Sequence, residues 1–223
     1  KLRNSVMNED MISSAELSRA ACCNLGESFV TNPSVDVSYS DAATGAKQIK
    51  LLGLSGTYVQ MLTENIPNYR GAAAPYGLGY VPGPWMQSIQ VSKGAITGQI
   101  NVEFKKPQLP EADWVSANLF ASTTNRYEAN ADATLKLSKR WSTSLLAHYE
   151  NETKAHDGND DGFVDIPQVE QYNVWNRWAY MGDHYVFQAG FKTLSETRSS
   201  GQSTHGDMYS GELYKVGIDT ERY

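Results

Sequence analysis

The chain has 223 residues, a formal net charge of −6 and a hydrophobic fraction of 40%. No run reaches the roughly 20 apolar residues of a membrane-spanning helix, which excludes a helical membrane protein but not a barrel, whose strands are only half apolar. The acidic balance and the lack of any basic cluster exclude a nucleic-acid partner.

The first recognisable element is Ser13-Ser14-Ala15-Glu16, a capping box with Ser13 at the N-cap and Glu16 three residues on. It predicts a short helix over 17–25, weakened or ended by Gly26. Cys22 and Cys23 are adjacent, so a bridge between them would need a strained ring, and both are expected to be small unpaired residues of that helix. Strand-like runs follow at 34–39, 48–54, 58–63, 88–92 and 97–105, with a turn at Asn65-Ile66-Pro67. Pro84-Trp85-Met86-Gln87 reads as a single helical turn with proline in its first positions. Together these predict a small α+β unit with its own core. Inside it, 68–83 is a long loop rich in Gly and Pro that carries Tyr69, Arg70, Tyr76 and Tyr80. Loops of this length in compact units are functional or disordered. Tyr and Arg bind through rigid, amphipathic surface. A flexible surface loop is the alternative.

After Pro107-Gln108-Leu109-Pro110 the pattern changes. From Tyr127 to Ser138 every odd position is apolar or aromatic and every even one is polar or charged. A period of two puts one set on each face of a strand. Six strands are predicted: 114–122, 127–138, 141–150, 172–181, 184–193 and 211–220. Short turns alternate with long polar loops. Trp141, Tyr180 and Tyr185 gather at the short-turn ends and Tyr127, Tyr149 and Tyr172 at the long-loop ends, as in the aromatic girdles of outer-membrane barrels. A soluble sandwich with one wet face is the alternative, but an apolar face of small alanines makes a poor sandwich core. Six strands cannot close a barrel, so the chain is expected to be a fragment of a longer protein.

Between the third and fourth strands lies Asp157-Gly158-Asn159-Asp160-Asp161-Gly162-Phe163-Val164-Asp165. Oxygen donors at Asp157, Asn159 and Asp161, a glycine at the sharp turn, the Phe163 carbonyl and Asp165 follow the spacing of a Ca²⁺ loop, because a hard cation wants several oxygens converging within one turn. The last position of such loops, a bidentate Glu, is Gln168 here, and no helices flank it. A solvated acidic loop tip is the alternative. The four histidines show no spacing for a transition-metal site. With no nucleophile–base pair and no cofactor fingerprint, an enzyme is not expected.

Five pieces of the first half then fall in a familiar order. Leu17 and Leu25 with Asn32-Pro33-Ser34-Val35-Asp36-Val37, then Gln48-Ile49-Lys50-Leu51-Leu52-Gly53-Leu54, Tyr58-Val59-Gln60-Met61-Leu62-Thr63-Glu64-Asn65-Ile66-Pro67, Met86-Gln87-Ser88-Ile89-Gln90-Val91-Ser92-Lys93-Gly94 and Ala95-Ile96-Thr97-Gly98-Gln99-Ile100-Asn101-Val102 resemble the plug domain of TonB-dependent outer-membrane receptors. The family's Arg-Gly pairs read Leu52-Gly53 and Lys93-Gly94 here. Family plugs carry a further stretch where Gly94 runs straight into Ala95, so residues are expected to be missing at that point. The segment that recruits the energising partner is not recognisable.

The resemblance implies a plug over 1–107 and, over 108–223, the first strands of an antiparallel transmembrane barrel of roughly 22 strands. It implies a bacterial outer-membrane location and contact with outer-membrane lipid. It also implies energised uptake of a scarce, bulky small-molecule ligand through an inner-membrane TonB-type protein. Tyr69, Arg70 and Tyr76 are the ligand-facing candidates. A cobalamin-like or ferric-siderophore-like ligand is expected. A saccharide or peptide importer with a surface lipoprotein, a non-transporting adhesin and a soluble Ca²⁺-binding β-module are the alternatives.

Overall fold

The computed structural model describes residues 8–13, 16–17, 24–29, 35–41, 43–51, 59–69, 71–93, 98–107, 114–203 and 213–223. The chain forms two compact units: Lys1–Ser40 with Ala46–Lys105, and Asp41–Gly45 with Lys106–Tyr223.

The first unit holds a sheet of five strands among the described residues: β1 (Asn8–Ile12), β4 (Val59–Thr63), β5 (Ile66–Pro67), β6 (Met86–Lys93) and β7 (Gly98–Phe104), in the order β1-β6-β7-β4-β5. Among these described strands β4 and β7 pair in parallel and the other pairings are antiparallel. Strand β7 is central, and Ile100, Val102 and Phe104 are fully buried. Ile89 and Val91 pair with Val102 and Ile100 across the sheet and Trp85 meets Phe104 edge-on; these three, with Tyr80 and Val81 of the same unit, are likewise without solvent exposure. A separate pair, β2 (Val35–Asp41) and β3 (Ala46–Leu51), completes the unit. The tight turn from β4 to β5 places Glu64 and Asn65 at φ of 51° and 65°. Positive φ at both central residues is the geometry that matches the twist of a two-residue hairpin. Asn101 holds it from β7, its side-chain oxygen accepting the Asn65 N–H at 2.8 Å.

Half of the predicted capping box is present, the Glu16 side chain reaching back to Ser13, while the Glu16 N–H donates to the Ser13 carbonyl rather than to its hydroxyl. Glu16 Oε2 accepts the Ser13 N–H at 2.8 Å and the Ser13 hydroxyl at 2.9 Å. Cys22, Cys23 and most of the predicted helix lie outside the described residues. The strand β1 has no counterpart in the sequence reading. The helical turn expected over 84–87 is a 3-10 turn, Gly83–Trp85, and Met86 and Gln87 already belong to β6.

The second unit is a six-stranded antiparallel meander: β8 (Trp114–Ala121), β9 (Tyr127–Lys136), β10 (Trp141–Glu152), β11 (Gln168–Met181), β12 (Val186–Gly201) and β13 (Lys215–Arg222), each paired with its sequence neighbour. The six predicted strands are all found, with different ends. The fourth begins at Gln168, the fifth runs on to Gly201, and the sixth begins at Lys215. Burial alternates with period two along β9, β10 and β11, as expected, whereas β8 and the first six residues of β12 bury neither face. Along β9 and β10, Glu128, Asn130, Asp132, Ser142, Ser144, Leu146, His148 and Glu150 are buried. Their neighbours Tyr127, Leu135, Trp141 and Leu145 are exposed, as are Tyr172, Trp178, Phe187 and Phe191 further along the sheet. This inverts the usual soluble arrangement: the sheet buries its polar face and presents its apolar one.

Candidate functional site

The described residues of the predicted binding loop include a 3-10 turn and buried tyrosines. Residues Gly71–Tyr76 form a 3-10 turn with Pro75 inside it. Tyr69 enters that turn at φ 55° and is only 5% exposed. Its hydroxyl donates to the Tyr80 carbonyl at 3.4 Å, and the two rings lie 5.7 Å apart. Gly77 faces this ring so closely that a Cβ there would sit 2.7 Å from the Tyr69 Cβ. Beside Tyr69 opens a cavity of about 320 Å³, lined also by Ser40, Lys47, Met61, Pro75 and Leu78. The Lys47 ammonium lies 5.4 Å from the centre of the Tyr39 ring. Tyr76 is half-buried, and Arg70 lies outside the described residues. Sequence reasoning grouped Tyr80 with the loop tyrosines, whereas it is a core residue with no exposure.

The acidic loop between β10 and β11 closes on itself through its own backbone. Asp157 accepts the Asp161 N–H at 3.2 Å and the Gly162 N–H at 2.9 Å. Asn159 Oδ1 accepts the Asp161 N–H at 3.3 Å, and Asp161 accepts the Phe163 N–H at 2.8 Å. Asp165 accepts the Gly158 N–H at 2.7 Å and lies 3.5 Å from His156 Nδ1. Asp160 and Gly162 take φ of 56° and 84°, which bends the chain tightly enough for these bonds. The loop thus brings Asp157, Asn159, Asp161 and Asp165 around one turn, with Phe163 leaving it. Among the described residues, no group of three or more His, Cys, Asp or Glu side chains is arranged to hold a metal ion. The turn is also tied to the strand beside it. The Val164 N–H donates to the Gly201 carbonyl and the Ser203 N–H to the Gly162 carbonyl, both at 2.8 Å, around an antiparallel bridge of Phe163 with Gln202.

The buried polar face of the meander carries a charged cluster that the alternation located without revealing its pairing. Arg126 lies 2.5 Å from Glu128 and 3.0 Å from Glu150. His148 shares a hydrogen bond of 2.8 Å with Asn130 and sits 3.8 Å from Glu150. On the next strands, Gln171 donates to Glu196 at 2.8 Å and Arg198 pairs with the same carboxylate at 3.2 Å. Buried charges persist when paired in this way. The remaining guanidinium nitrogen of Arg198, Nη1, donates to the Thr44 carbonyl at 3.3 Å, where Gly45 turns the chain at φ 69°. Beside it, the Asp41 carboxyl is held below its usual range, first by the Thr44 hydroxyl at 2.6 Å and then by the Ala43 N–H at 3.1 Å.

No protein-family model and no curated protein matches this sequence. Solved structures do. The siderophore receptor PiuA from Acinetobacter baumannii superposes with a TM-score of 0.64 at 14% identity, over 87% of this chain and 27% of its own. The pyoverdine outer membrane receptor FpvA from Pseudomonas aeruginosa PAO1 gives 0.65 at 14%, over 87% and 28%. The copper transporter OprC gives 0.67 at 15%, over 86% and 32%. These neighbours are receptors and a transporter rather than enzymes, and this chain spans only 27–32% of their lengths. At such low identity the likeness is one of fold, and that fold is the one of the TonB-dependent outer-membrane receptors that the five sequence pieces resemble.

Proposed function

We propose that this chain is part of a bacterial outer-membrane receptor that takes up a scarce, bulky solute with energy supplied by an inner-membrane TonB-type protein. The observation that carries this reading is the meander with its polar face buried and its apolar face exposed. Lipid is the environment in which such a face is stable, and a β-sheet can cross it only within a closed wall. Strands β8 and β13 are edges of the meander. In lipid an unpaired edge costs several kcal/mol per backbone group, so further strands complete the wall.

A ferric-siderophore-like ligand is favoured over a cobalamin-like one, because two of the structural neighbours are named as siderophore and pyoverdine receptors. Tyr69, Arg70 and Tyr76 remain the proposed ligand contacts. Tyr69, which lines the cavity, would act through its ring rather than its hydroxyl, which is engaged with Tyr80. In the loop of the second unit, Asp157, Asn159, Asp161 and Asp165, with the Phe163 carbonyl, would hold Ca²⁺. The all-oxygen donor set fits a hard cation, whose role would be to order the loop.

Cells with and without the gene, given iron-55-loaded siderophores and labelled cobalamin, test the transport reading. Accumulation of one of these should require the gene and disappear with an uncoupler. Equal accumulation in both strains for every ligand, or uptake indifferent to the uncoupler, would defeat it.

A further inference from the structure

We infer that the two short turns of the meander form a binding site for the headgroup phosphate of an anionic phospholipid. The inference rests on the membrane reading above. The turn from β9 to β10 carries Lys139 and Arg140, and that from β11 to β12 carries Asp183. Arg140 joins them: one nitrogen donates to the Tyr180 hydroxyl at 3.4 Å and the other pairs with Asp183 at 2.7 Å. This pair is loosely held. The two side chains are 50% and 72% exposed, and a surface ion pair of that kind is weak and readily exchanged for another anion.

Under the guanidinium stands a ladder of rings. Trp141 meets Tyr180 edge-on at 5.0 Å, and Tyr180 stacks on Tyr185 at 5.5 Å. Trp and Tyr in this position mark the depth at which headgroups begin. Leu137 and Phe187 are exposed at the same ends of the strands, Phe187 directly opposite Tyr180, where acyl chains would lie.

The charge is directional. The two turns carry two permanent cations and one carboxylate, whereas the loop at the other end of β10 and β11 carries one permanent cation, Lys154, against Asp157, Asp160, Asp161 and Asp165. Arginine is suited to the task because its planar fork matches two phosphate oxygens at once. A headgroup phosphodiester bound there would compete with Asp183 for Arg140 and take its second cation from Lys139.

Native mass spectrometry of the full-length receptor in detergent, offered equal phosphatidylglycerol and phosphatidylcholine, tests this. The parent should retain phosphatidylglycerol preferentially. Lys139→Gln and Arg140→Gln should each lower that preference about fivefold, as expected for removing one cation near a charged lipid surface. Asp183→Asn should raise it, Arg140→Lys should keep part of it, and Lys154→Gln at the far end should leave it unchanged. Equal retention of the two lipids by the parent, an unaltered preference in folded Lys139→Gln and Arg140→Gln, or displacement of the lipid by inorganic phosphate would overturn the inference. Failure of the membrane reading itself is distinguishable: the protein would then stay in solution without detergent and retain neither lipid.

Discussion

Replacing Leu145 by arginine separates a wall that faces lipid from one that faces water. Leu145 is 44% exposed, while its neighbour Leu146 on the opposite face is 1% exposed. In water, an arginine at an exposed position away from any special feature changes stability by no more than about 0.5 kcal/mol. In a bilayer the cost depends on depth, and the strand gives the depth. Trp141 and Tyr149 bound the apolar stretch of β10, eight residues apart, with Leu145 midway. At about 3.4 Å per residue they are ~27 Å apart along the strand. A tilt of roughly 40° reduces this to ~20 Å across the membrane, close to the ~25 Å apolar band of outer-membrane barrels. Leu145 then sits near the midplane, where arginine costs roughly 2–4 kcal/mol. Denaturant titration of the full-length protein in phospholipid vesicles, followed by tryptophan fluorescence, measures the difference, with Leu145→Ala as the control for lost size. A loss under about 0.5 kcal/mol relative to that control would refute the lipid-facing assignment.

Three further outcomes are expected. Isothermal titration with Ca²⁺ should give saturable heat for the parent and none for Asp157→Ala; identical heats would remove the metal from the loop. Gly77→Ala should destabilise the first unit by about 1–3 kcal/mol, because the new methyl meets the root of the Tyr69 side chain, which cannot swing aside. Unchanged protease resistance of that region would contradict this packing. The Asp41 carboxyl should titrate below an ordinary aspartate. Its folded-state value is depressed, so its contribution to the turn is complete above the unfolded value and vanishes as pH falls through the lowered one. Carbon-13 carboxyl NMR should show Thr44→Val moving the midpoint back up, and a midpoint indifferent to that change would rule out the Thr44 hydroxyl as its cause.

The strands of the second unit were legible because exposed apolar and buried polar positions impose an alternation on sequence. Their ends were not. Beyond Thr193, β12 continues through Leu194-Ser195-Glu196-Thr197-Arg198-Ser199-Ser200, where the outer face has become polar and the amphipathic signal disappears although pairing with β11 persists. Pairing is a property of the backbone and leaves no mark on hydropathy. Strand β1 escaped notice for a similar reason. Asn8-Glu9-Asp10-Met11-Ile12 is mostly polar, and it is a strand because β6 offers an edge to pair with. In the binding loop, composition showed where tyrosines were concentrated but not which were buried. Tyr80 is fixed by the core and Tyr69 by its backbone turn, both set by contacts distant in sequence. The acidic loop was the opposite case: spacing alone located a turn whose carboxylates gather around its own amides.

The bridge between Phe163 and Gln202 makes the acidic turn a handle on the sheet. Because Val164 bonds to Gly201 and Ser203 to Gly162, a displacement of the turn pulls along the axis of β12. Strand β12 cannot slide by one residue without turning every side chain to the wrong face, since its register with β11 holds from Gln168↔Ser199 to Met181↔Val186. Force applied at the turn is therefore met by the whole hairpin. A cation or ligand that stiffened residues 157–165 would anchor the end of β12 as well.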